Sequence, residues 1–223
     1  MPERMPVARS PIAIAPPEAV VGGWAVSARR SSANLVLVDC SAMTTVALRA
    51  RDSGEVARAL GVPMGRAARQ RWGDGSVPVL VVGSGPDEWR ALGPPGTLDL
   101  VVAHLTSVAA DAAGDDLVSV VDLTHGTALV RLTGERSADL LAHETAVDLS
   151  DRAHPDGAAL RTAVSGLAAD VVRDDQGGVC SYLLGCERSS GQYLFDSLLD
   201  AGGPLGVDVD GFASDDEEPA HVR

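Results

Sequence analysis

Aromatic side chains are scarce in this chain: three Trp, two Tyr and two Phe among 223 residues, 3 % in all. A core built from such a sequence rests on small and aliphatic residues, with Ala, Gly and Val supplying the bulk. Basic residues are outnumbered, 18 Arg and Lys against 31 Asp and Glu, giving a formal charge of −13. That balance argues against a nucleic-acid partner, because phosphate binding is driven mainly by cations. It also argues against an anionic membrane surface. Three cysteines, Cys40, Cys180 and Cys186, cannot all pair within the chain, and no CxxC occurs. Reduced thiols in a cytoplasmic protein are the expectation. No apolar run reaches the roughly 18 to 20 residues needed to span a bilayer. Glu3, Arg4 and Arg9, set among Pro2, Pro6, Pro11, Pro16 and Pro17, interrupt the apolar stretch that a signal peptide requires. The five histidines show no HxH, HExxH or His/Cys spacing, so no zinc site is expected.

Strand and helix signals alternate along the chain. Residues 34–38 read as a buried strand, and 55–60 as a helix with Ser53 as its candidate N-cap. The polar stretch 67–75 reads as a loop. Residues 78–82 form a continuous apolar strand, and Pro86 and Asp87 then favour a tight turn returning through 88–92, with a short helix starting at Pro86 and carrying Asp87 and Glu88 in its first turn as the rival reading. Residues 97–112 carry Leu98, Val101, Val102, Leu105 and Val108 on one helical face.

The stretch 118–149 organises the second part. Val and Leu dominate 118–123, His125 and Gly126 supply a turn, and 127–132 alternates, so the two runs are expected to form a hairpin. The spacing changes to 3.6 near Glu135, which predicts a helix packed on that hairpin. Residues 163–172 read as one strand, 174–178 as a turn, and 179–184 as the return. A final helix, capped by Ser189 or Ser190, carries Tyr193, Leu194, Leu198 and Leu199 and stops at Gly202, Gly203 and Pro204. The expected organisation is a flexible arm over 1–17, a first half over 18–116, a second half over 117–212 and a solvated acidic tail over 213–223.

Several motifs fall short of chemistry. Gly83-Ser84-Gly85 follows a strand, but the dinucleotide fingerprint needs glycine where Glu88 stands. Asp208, Asp210 and Gly211 begin like a calcium loop whose remaining ligands are missing. Ser165 lacks the first glycine of a nucleophile elbow, since Ala163 occupies that place.

The order Asp-Leu-Thr, alternating strand, Leu-Thr-Gly, Ala-x-x-Leu helix, Asp-Leu over 122–149 resembles the folate-binding domain of the aminomethyltransferase (glycine cleavage T-protein) superfamily. SPIA at 10–13, GPDEW at 85–89 and ERSSGQYLFDSLL at 187–199 fit, in order, the gamma subunit of heterotetrameric sarcosine oxidases. The resemblance spans about residues 10–212 and implies an α+β fold of two ferredoxin-like, β-β-α-containing halves with antiparallel sheets. It implies a non-catalytic subunit partnered by alpha, beta and delta subunits. No catalytic, cofactor or metal residue would belong to this chain, and FAD, FMN, NAD and tetrahydrofolate would sit in the partner subunits. Two departures bear on the site. Arg90 stands where the family usually carries an aliphatic residue, and SGLAADVV at 165–172 keeps only the second acid, Asp170, of a pair that lies beside folate in the transferases; Ala169 replaces the first. Asp170 is therefore the one candidate binding residue, in the rival reading of a stand-alone tetrahydrofolate-binding aminomethyltransferase-like enzyme; the plainer reading is a strand-end carboxylate with a backbone or Arg partner. That reading predicts a deep pocket between the halves. Trp24, Trp72 and Trp89 are the candidate aromatics for a partner surface.

Overall fold

The structure, a computed structural model, describes residues 6–212; the acidic tail expected over 213–223 lies outside them. The fold is mixed α+β with sheets that are mostly antiparallel. The strands are β1 (Ala8–Arg9), β2 (Glu18–Val21), β3 (Trp24–Ser27), β4 (Val36–Asp39), β5 (Thr44–Arg49), β6 (Ala67–Trp72), β7 (Val77–Gly85), β8 (Glu88–Gly93), β9 (Ser119–Asp122), β10 (Thr127–Thr133), β11 (Ala159–Val164), β12 (Leu167–Arg173), β13 (Ser181–Glu187) and β14 (Asp208–Val209). The helices are α1 (Glu55–Leu60), α2 (Leu98–Ala112), α3 (Ser137–Leu141) and α4 (Gly191–Gly202). A five-stranded sheet runs β6-β7-β8-β5-β9, a six-stranded sheet runs β11-β12-β13-β10-β4-β14, and β1-β3-β2 form a small third sheet. No described helix is long and apolar enough to cross a membrane.

The two large sheets face each other, each with helices on its outer side. Alternation along the strands dictates this layering. In β7, Val79 and Val81 pack with Val101 and Leu105 of α2 and with Val56 and Leu60 of α1. Leu80 and Val82 point the other way, into a layer shared with Leu129, Val172 and Leu183 of the six-stranded sheet. On the far side of that sheet Val130, Leu132, Val171 and Leu184 pack with Leu140 and Leu141 of α3 and Leu194, Phe195 and Leu198 of α4. A strand covered on both faces needs apolar residues at consecutive positions, which is why 78–82 and 182–184 read as unbroken runs.

The hairpin of β7 and β8 turns where expected, with Asp87 in the left-handed region at φ 56°. The α1 helix ends at Gly61, also left-handed, as its C-cap, but its N-cap is Gly54 rather than Ser53.

The expected hairpin over 118–132 does not form. β9 pairs with β5 in one sheet, and β10 lies between β13 and β4 in the other. The link between them carries the chain across the molecule. Leu123 N–H donates to Thr45 O at 2.8 Å and Thr45 N–H donates to Thr124 Oγ1 at 3.1 Å, fastening the end of β9 to β5 before the chain turns away. The sheets therefore do not follow a cut at 116/117, since β4 joins the later strands and β9 the earlier ones.

Other expectations are also corrected. Residues 67–72, expected as loop, are edge strand β6, whose polar side chains find partners: Gln70 Nε2 donates to Leu60 O at 2.8 Å and Arg69 reaches Asp174. Residues 163–172 are not one strand but belong to the β11–β12 hairpin, whose turn holds Ser165 at φ 52° and Gly166 at φ 77°, the signs that a type I′ turn requires. The described part of the arm departs from a flexible extension, because β1 pairs in parallel with β3 and Ile12 is buried in the core under α4. All three tryptophans are buried, not surface-facing. Trp24 stacks on His125, Trp72 stacks on His104, and Trp89 Nε1 donates to Val62 O at 2.7 Å.

Candidate functional site between the two sheets

Asp170 sits on β12 between Val171, which faces α4, and Ala169, which does the same, so its own side chain points into the layer between the sheets. Arg90 lies on β8 opposite Val82 and points into the same layer from the five-stranded side. The two meet, with Arg90 Nη1 at 2.7 Å from Asp170 Oδ2, and their side chains are only 16 % and 12 % exposed. The contact belongs to a chain of alternating charges that crosses from one sheet to the other. Arg49 Nη2 donates to Glu88 Oε2 at 2.6 Å, Glu88 lies 3.8 Å from Arg90, and Arg161 lies 3.8 Å from Asp170 on its open side. Arg90 Nε and Asp170 Oδ1 have no hydrogen-bond partner, so the pair is held by one good contact and by charge.

Burial pushes the Asp170 carboxyl above the ordinary carboxylate range, with Arg90 and Arg161 only partly offsetting it. At Glu88 burial also pushes upward, but the hydrogen bonds from Arg49 and Ser84 and the charge of Arg90 outweigh it, and the pKa falls. The space left around Arg90, Asp170, Ser84, Leu129 and Gly185 is about 20 Å³. That is room for about one water molecule, whereas small-molecule sites occupy roughly 300–1,000 Å³.

A second cross-sheet contact was not legible in the sequence. Asp174, just after β12, accepts from Arg69 Nε and Nη2 at 2.9 and 2.8 Å and from Arg131 Nη2 at 2.8 Å; its side chain is 6 % exposed. Gln176 Nε2 adds a bond at 3.0 Å. Beside it lies a larger cavity, about 230 Å³, whose walls include Val36, Val38, Met43, Pro94 and Phe212. Arg131 lines it, but its guanidinium is committed to Asp174.

Reactive groups elsewhere are restrained by their surroundings. Ser165 Oγ donates to Glu144 Oε2 at 2.6 Å in the hairpin turn. Burial pushes the Cys186 thiol up to about 11 and raises Cys180 as well, which leaves little thiolate near neutrality. His154 is buried against Tyr182 and Arg173. Among the described residues no three His, Cys, Asp or Glu side chains are placed to hold a metal ion. Asp170 was legible as a strand carboxylate with a backbone or Arg partner; what the sequence did not tell was that Arg90, a charge in an otherwise apolar strand position, is that partner.

No family model and no curated protein matches the sequence. Solved structures do match. A chain of the heterotetrameric sarcosine oxidase from Corynebacterium sp. U-96, solved with pyrrole 2-carboxylate, superposes with a TM-score of 0.64 at 20 % identity, covering 81 % of this chain and 90 % of that one. The glycine cleavage system aminomethyltransferase T from Bartonella henselae superposes with a TM-score of 0.63 at 16 % identity, covering 87 % of this chain and 55 % of that one. This chain has the aminomethyltransferase-like fold. It spans about half the length of the Bartonella protein.

Proposed function

We propose that this chain is a non-catalytic gamma-type subunit of a heterotetrameric sarcosine oxidase, a complex that demethylates sarcosine oxidatively and passes the one-carbon unit to tetrahydrofolate. The observation that carries the reading is the Arg90–Asp170 pair: the surviving acid of the folate-site motif is spent on a protein cation, and about 20 Å³ remains beside it. The likeness to a chain of a heterotetrameric sarcosine oxidase, across 90 % of that chain, supports it. On this reading a scaffold of two ferredoxin-like halves serves assembly in the cytoplasm, with alpha, beta and delta subunits as partners. FAD, FMN, NAD and tetrahydrofolate belong to those partners, and this chain binds none of them.

Two measurements test it. Calorimetry of the isolated full chain with tetrahydrofolate is expected to give no heat of binding at micromolar concentrations. Co-expression with alpha, beta and delta subunits is expected to yield one co-eluting complex. Micromolar tetrahydrofolate binding by the lone chain would instead support a stand-alone aminomethyltransferase-like enzyme using Asp170 and sink the subunit reading.

A further inference from the structure

The edge strand β9 offers a docking line. It ends the five-stranded sheet, and no described strand lies on its outer side. Leu123 N–H donates to Thr45 O, and in the antiparallel register Val121 faces Ala47 and Ser119 faces Arg49. Hydrogen-bonded pairs alternate in an antiparallel ladder, so the backbone groups of Ser119 and Val121 turn toward β5 and those of Val120 and Asp122 turn outward. Up to Asp122 at its end, the side chains along this edge are apolar or small. Leu117, just before the strand, is 94 % exposed and Val121 is 48 % exposed.

Sheet edges in soluble proteins are ordinarily guarded by charge. Here β6 carries Arg71, β11 carries Arg161, and β2 carries Glu18 tied to Arg9 of β1. β9 has Ser, Val and Val before Asp122, with no cation. Its ends are acidic: Asp115 and Asp122 are exposed, while Asp116 is engaged by Arg51 at 3.3 Å. A second copy of this chain would bring those acids, and two molecules of charge −13, against one another.

We propose that β9 accepts an added antiparallel or parallel strand from a different subunit, one whose extended segment places an apolar side chain over Leu117 and Val121 and Arg or Lys near Asp115 and Asp122. Main-chain hydrogen bonds to Val120 and Asp122 give the affinity, and the apolar contacts and flanking charges give the selectivity. The inference deepens the subunit reading and rests on it.

The test uses the full chain and the co-expressed alpha–beta–delta assembly, with affinity measured by sedimentation and amide exchange followed at β9. Leu117→Asp and Val121→Asp, both at exposed positions, are expected to weaken assembly by about tenfold or more each, while Val20→Asp on another sheet edge leaves it unchanged. The amides of Val120 and Asp122 are expected to exchange more slowly in the complex. Wild-type assembly that is indifferent to both β9 substitutions, with no added protection there, overturns the docking line and leaves the subunit reading standing. A wild-type chain that does not assemble overturns both, and self-association through β9 would replace the proposed partner by a second copy.

Discussion

Replacing Arg90 by leucine removes the cation from a buried pair and leaves Asp170 in the layer between the sheets. Stripping one partner from a fully buried ion pair costs about 3–5 kcal/mol. The Arg90 and Asp170 side chains keep 16 % and 12 % exposure, and Arg161 stays 3.8 Å from the carboxylate, so the loss here is smaller. An expected loss of about 2–3 kcal/mol follows for Arg90→Leu near pH 7. The double replacement Arg90→Leu with Asp170→Leu removes the stranded charge and refills the layer with apolar atoms, so it is expected to lie within about 1 kcal/mol of wild type. The pH dependence separates this account from a simple packing defect. Burial already raises the Asp170 pKa in the folded protein, and loss of Arg90 takes away the stronger of the two cations that hold it down, leaving Arg161 alone. An acid whose folded pKa is raised binds more protons in the folded state than in the unfolded state across that window, so stability falls as pH rises through it and recovers as pH falls. Urea denaturation of wild type, Arg90→Leu, Asp170→Leu and the double variant, at several pH values from about 7 down to 4, reads both the coupling and its pH dependence. A double variant as unstable as Arg90→Leu, with no recovery on acidification, would refute the argument that the pair closes this layer by charge.

Two further outcomes follow from buried groups. His154 is held below its ordinary pKa by burial, then by the charges of Arg173 and Arg66, so the unfolded state binds the extra proton first as pH drops; stability is full above the ordinary histidine pKa and is lost as pH falls toward the lowered value. Replacing His154 by Phe should flatten that slope in thermal melts recorded between about pH 7 and 5. Gly134 adopts φ 145°, and a Cβ there would sit 2.3 Å from Asn34 O and 2.9 Å from the Leu35 Cα. Gly134→Ala should lower the melting temperature by several degrees, consistent with a cost of about 2 kcal/mol or more.

The parts of the fold that were legible in the sequence are those set by neighbours along the chain. The β7–β8 hairpin follows from an apolar run and from Pro86 and Asp87 in the turn, and α2 from its single apolar face. The errors share a physical cause. Alternation says which side of a strand is buried, but not which sheet the strand joins, and 118–132 looks like a hairpin until the Thr45 and Thr124 contacts send its strands to different sheets. A polar edge strand such as β6 carries too little apolar signal to be told from a loop, because its side chains are satisfied by distant partners at Leu60 and Asp174. The same limit governs the site. Asp170 could be read as a strand carboxylate, and Arg90 as a misplaced charge, but their meeting depends on two sheets packing face to face. Beside the paired charges about 20 Å³ remains in that layer. An acid on one strand and a cation at an otherwise apolar position of a facing strand thus neutralise each other once the sheets pack, as Asp170 and Arg90 do.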